Sequence, residues 1–202
     1  MGWRATQPRL YMRPRGTELS AAERGQNASE THKDDYSMDE YREFVERVAD
    51  GVWPSETILN RSADHAAVIV ENLFRKADRI VEILTSELKT DVYAMPTVIS
   101  SAIDFLRRDD GARIHILSET DLDRSAHPFL AAIDAAQFGD RLTVGIIRAN
   151  TKQDYKFNFA VADAKSFRFE ESRESFEAIV GFGHDKFASR LHNVFGVLAA
   201  SA

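Results

Sequence analysis

The chain has 202 residues, 44% hydrophobic and 29% charged, a balance that fits one globular domain with a substantial core. A net charge of −6 argues against general polyanion binding, so any nucleic-acid contact needs a local basic patch. There is no cysteine, which excludes disulfides, thiolate metal sites and a cysteine nucleophile, and suits a reducing compartment.

Residues 1–36 read as a flexible arm. They are rich in Arg, Gly, Ser, Thr and Asn, without a sustained apolar period, and the first fifteen carry four arginines and no acid. Trp3, Leu10, Tyr11 and Met12 are the anchors such an arm has for a partner. The opening residues lack an apolar signal core, and no apolar run approaches the roughly 18 residues of a membrane helix. The expectation is a cytoplasmic protein with no membrane contact.

From residue 37 a domain is expected to run to 202, opening with a helix over 37–51. Ser37 stands where an N-cap is needed, Tyr41, Phe44, Val45 and Val48 recur at helical spacing, and Gly51 closes the run. A second helix lies in "NRSADHAAVIVENLFRKA", with Ala66, Val70 and Leu73 on its buried face. Strands and helices then alternate: "RIVEIL" (79–84), a helix ended by Gly111, "ARIHILSE", a helix from Pro128, and "RLTVGIIRA". "KFNFAVAD" and "SFRFEE" read as two strands of a hairpin turning at Asp163–Ala164–Lys165. "ESFEAIV" reads as helical turns before a long final helix from Asp185. The pattern predicts an α/β fold: a mixed, largely parallel sheet of about five strands with helices on both faces.

The stretch "KFNFAVAD" (156–163), the helix "HAAVIVENLFRKA" and the ending "FASRLHNVFGVLAAS" resemble the phospholipase D superfamily, as a divergent single-copy phospholipase D-like domain over about residues 58–200. That family places His-x-Lys-x4-Asp on a buried strand. The resemblance implies that one His attacks phosphorus, a second protonates the leaving oxygen, the Lys binds phosphate, and the Asp orients and supports charge within the site. It also implies that a single-copy protein completes the site as a homodimer.

Here Lys156 takes the His position, Asn158 the Lys position, and Asp163 remains. An ammonium protonated at neutral pH is no nucleophile, and an amide adds no charge. The motif is degenerate, and standard phospholipase D chemistry is expected to be absent. The literal His-x-Lys of His184 and Lys186 meets Leu191 where the Asp belongs, and reads as a helix start.

Other candidate residues gather in the segments that follow the parallel strands. Lys156, Arg168, Arg148 and Lys152 are candidates for an anion site; Arg168 also has Glu170 as a pairing partner two residues along one strand face. In "ETDLDRSAH", Glu119, Asp121, Asp123 and His127 have the spacing of weak divalent-metal ligands, beside the alternative of a solvated loop that caps a helix. Glu87 and Lys89 match half of a metal-nuclease signature without its partner. His65 and His115 read as structural. No Gly-rich phosphate loop and no Gly-x-Ser-x-Gly elbow occurs.

The function expected is a non-catalytic phospholipase D-like binding or regulatory module of a bacterial system, homodimeric and without a cofactor. It would use the former cleft or the dimer surface for a protein partner or an anionic ligand, and phage defence is an association that the family brings. The alternative is a phosphodiesterase or nuclease with a rearranged, metal-dependent site at Glu119, Asp121 and Asp123. A third reading places the function in residues 1–50.

Overall fold

The computed structural model describes residues 37–53, 57–148 and 155–202. The expected arm over 1–36, and Lys152, lie outside the described residues.

In chain order the elements are α1 (Met38–Ala49), β1 (Ile58–Asn60), α2 (Ala63–Lys76), β2 (Ile80–Thr85), α3 (Thr90–Tyr93), α4 (Pro96–Arg108), β3 (Arg113–Ser118), α5 (Pro128–Ala135), β4 (Leu142–Ile146), β5 (Asn158–Ala162), β6 (Ser166–Glu170), β7 (Ala178–Gly181) and α6 (Asp185–Ala199). Local chemistry starts the helices. Ser37 and Glu40 form a reciprocal capping box on α1, and the Ser62 hydroxyl accepts from the His65 N–H at the start of α2. Pro96 and Pro128 open α4 and α5, where a missing N–H is harmless.

The sheet is mixed, with the order β1-β7-β6-β5-β2-β3-β4. β2, β3 and β4 run parallel through crossovers that contain α3–α4 and α5, and every other pairing is antiparallel. The sheet thus has seven strands where about five were expected, and its parallel part is confined to three. The two added strands are β1 and β7, three and four residues long, too short for alternation to register. β7 corrects the helical turns expected in "ESFEAIV". There Gly181 lets the backbone approach the His184 and Phe167 rings, which a Cβ would meet at 2.6 and 2.7 Å.

Helices cover both faces, unequally. The α1–α5 side holds the main core, including Val45, Ile69, Phe74, Ile83, Phe105, Ile116 and Phe129. On the opposite face α6 packs Ala188, Leu191, Phe195 and Leu198 on Leu84, Phe159, Val161 and Phe167. Strand alternation sorts the residues. On β5, Phe159 and Val161 face α6, while Asn158, Ala160 and Ala162 face the other layer.

Candidate functional site

The motif strand is β5, the central partner of both β2 and β6. Its start lies beside the carboxyl end of β2, and its finish beside the amino end of β2. Asn158 and Asp163 therefore stand at opposite ends of the strand, five residues or roughly 17 Å apart.

Asp163 has a structural task. With Ala164 it adopts positive φ (51° and 53°) in the three-residue loop, 163–165, of the β5–β6 hairpin. Its carboxylate accepts from the consecutive backbone N–H groups of Asp78 (2.5 Å), Arg79 (2.9 Å) and Ile80 (2.8 Å). Those donors precede or open β2 and have no ladder partner of their own on that side. Asp163 thus braces the start of β2, at the opposite end of β5 from Asn158.

At the other end Asn158 is buried and both ends of its amide are used. Its oxygen accepts from the Ser86 N–H (2.9 Å), just past β2, and its nitrogen donates to Glu170 (2.7 Å), its register partner on β6. The other Glu170 oxygen accepts from the Arg168 guanidinium. Arg168 also donates to the Asn60 side chain (3.2 Å) and the Phe176 carbonyl (3.1 Å), and Asn60 donates to that same carbonyl (2.8 Å). Asn60, Asn158, Arg168 and Glu170 are each no more than 5% exposed. They form one polar chain across β1, β6 and β5, closed at both ends by backbone groups. Buried charges are tolerated in this form because each is paired and hydrogen-bonded. Burial raises the Tyr41 and Tyr93 hydroxyls well above their usual range, so both stay neutral beside Arg168. Tyr41 stacks on His65 at 3.8 Å, which gives that histidine a structural place in the wall.

The rim residues divide. Lys156 and Arg148, the latter beyond β4, are both exposed, and among the described residues neither has a side-chain hydrogen bond or ion pair. Arg168, grouped with them from sequence, sits inside the polar chain and presents no free charge. Glu119 is bound to Arg173, with one contact at 2.8 Å. Asp123 accepts from the Ser125 N–H (2.8 Å), the Ser125 hydroxyl (2.7 Å) and the Ala126 N–H, and these bonds hold its carboxyl below the usual range. His127 caps no helix with its ring; its Nε2 lies 2.7 Å from the Leu88 carbonyl. Among the described residues no three His, Asp or Glu side chains gather as a metal would need, so Glu119, Asp121, Asp123 and His127 do not converge. His184 stands before α6, and Lys186 is exposed on its first turn.

A surface concavity of about 590 Å³ lies at the Asp163 end, bordered by Trp53, Lys76, Lys165 and Phe182. At the Asn158 end the side chains of Asn158, Arg168 and Glu170 are instead buried against one another. Sequence reasoning missed Asn60, Ser86, Tyr41, Tyr93 and Phe176. The Arg-x-Glu spacing of β6 was the one available signal, since alternation puts Arg168 and Glu170 on one face.

Among solved structures the chain is similar to Nuc from Salmonella typhimurium, a phospholipase D family member, at a TM-score of 0.51 with 11% identity, covering 73% of this chain and 95% of that one. NucT from Helicobacter pylori gives 0.50 and 10%, covering 73% and 97%. The chain shares its fold with these two proteins. TrmBL2, an archaeal chromatin protein, is matched at 0.48 and 15% over 76% of this chain, which spans 57% of TrmBL2. No protein-family model matches the sequence, and no curated protein does.

The polar chain of Asn158, Glu170 and Arg168 occupies the starting end of β5. Among the described residues no helix is long and apolar enough to cross a membrane.

Proposed function

We propose that this protein is a non-catalytic phospholipase D-like module of a bacterial cytoplasmic system. It binds a protein partner or an anionic group at the rim of the former cleft and works as a homodimer. One observation supports the loss of catalysis above all: the amide of Asn158 is spent on Ser86 and Glu170, with the Arg168–Glu170 pair behind it. A nucleophile at that strand end needs a base partner and a vacant seat for phosphorus. Among the described residues no base is bonded to Lys156, and Asn158 already bonds Ser86 and Glu170. The free charge left at the rim, Lys156 with Arg148, suits recognition of an anion without turnover.

The metal-dependent alternative has less support, because Glu119 and Asp123 are committed to Arg173 and to their own loop. The test is a phosphodiesterase and nuclease assay on the purified chain, with and without Mg2+, Mn2+ and Zn2+. The expected outcome is no turnover under any condition. Metal-dependent cleavage that disappears in Asp121→Ala or Asp123→Ala overturns the reading and moves the site to the acidic loop.

A further inference from the structure

The segment between β6 and β7, residues 171–177, crosses the carboxyl ends of β2 and β3. Four side chains from four different elements hold it there: Glu119, Lys89, Arg168 and Asn60. Arg173 reaches Glu119, just past β3, in an ion pair whose carboxylate is 6% exposed. Lys89, past β2, donates to the Ser175 carbonyl (3.3 Å) and stands 4.5 Å from the centre of the Phe176 ring. From beneath, Arg168 and Asn60 both donate to the Phe176 carbonyl.

The segment's own backbone contributes little. Its amides at Glu174 and Glu177 bond to the hydroxyls of Ser172 and Ser175, and among the described residues its backbone makes no bond of turn, loop or ladder type to other backbone. A segment held by side chains, rather than by a ladder, opens without unravelling the sheet. The closed form also carries a cost: the Arg173 Nε is buried without a partner. Glu171, Glu174 and Glu177 face solvent, so nothing apolar beyond Phe176 resists release.

We propose that residues 171–177 form a strap that shuts the cleft from within, latched by Arg173 on Glu119 and by Lys89 on Ser175 and Phe176. Release of the latch swings Phe176 away and uncovers Lys89 and the outer side of Arg168. The strap therefore sets whether the cleft is accessible to what the rim binds. This inference rests on the proposed binding role, and its test does not depend on turnover.

The chain has no cysteine, so Ser175→Cys in the full chain supplies a single thiol on the strap. Thiol modification is slow with the latch intact. Adding Arg173→Ala raises the rate about tenfold, the factor that corresponds to about 1.4 kcal/mol of lost closure. Hydrogen exchange on the chain with Arg173→Ala alone, free of the thiol change, shows strap amides faster by a similar factor while β5 and β6 amides keep their protection. Unchanged strap exchange overturns the latch. Strap and β5 amides accelerating together also overturns it, because the segment then belongs to the core's cooperative unit. A cleaving protein with a strap that opens independently sinks the non-catalytic reading and leaves the strap standing.

Discussion

Asp163 accepts from three consecutive backbone N–H groups that lie 83 to 85 positions earlier in the chain. It does so from a left-handed backbone conformation, which Asp tolerates better than most side chains. Asp163→Ala removes the acceptor and leaves at φ 51° a residue that tolerates the left-handed region less well than Asp. The expected loss is about 2 kcal/mol, from stranded donors together with the strained turn. Urea unfolding measures it, and an unchanged midpoint would show that the brace is not holding β2. Asn158 makes the complementary point about residue type. An amide offers a donor and an acceptor on one planar group, and this strand end needs both: an acceptor for Ser86 and a donor for Glu170. A lysine there would leave the Ser86 N–H without its partner.

Among the elements, α6 is tied to the sheet by apolar contacts and by one polar pair. The His192 Nδ1 lies 2.6 Å from a carboxylate oxygen of Glu82, which projects from the middle of β2. Burial, partly offset by the bond to His192, raises the Glu82 carboxyl above the usual 4.5. A carboxyl raised on folding stabilises the fold below its unfolded value, and that contribution fades as pH rises through the folded value. Glu82→Gln should remove this dependence. The parent's urea midpoint, taken relative to the variant, is expected to fall as pH climbs from about 4 toward neutrality. A constant difference across that window would mean that Glu82 does not titrate as its burial dictates.

The same elements show what was legible in advance. Long periodic helices and the strands β2, β3, β5 and β6 announce themselves because each buries a regular face. β1 and β7 do not, since three or four residues carry too few alternations and their pairing joins positions 58–60 to 178–180. The residues at 156, 158 and 163 were readable as identities. Their surroundings were not, because whether Arg168 is a free cation or an internal one depends on Glu170 and on Asn60, which arrives from a strand that sequence periodicity does not reveal.

For the whole molecule, the unequal clothing of the sheet matters. Among the described residues five helices cover one face and a single helix the other, and α6 leaves Phe187 (38%) and Val197 (66%) exposed. Exposed apolar residues of this size suit a surface that meets another copy. Light scattering is expected to give about twice the chain mass of 22.8 kDa. A single-chain mass at micromolar concentration would remove the homodimer from the proposal.

The sheet order also governs how the protein is made. β2, β3 and β4 are neighbours in sequence and can pair as the chain leaves the ribosome, with α2 to α5 closing over them. β1 is synthesised first of all the strands, yet its partner β7 appears about 120 residues later, at a translation rate of roughly 5–20 residues per second. For several seconds, therefore, the nascent chain carries an unpaired first strand and an open flank on β2, the kind of surface that chaperones bind. The polar chain through Asn60, Arg168 and Asn158 is assembled only when that last pairing closes.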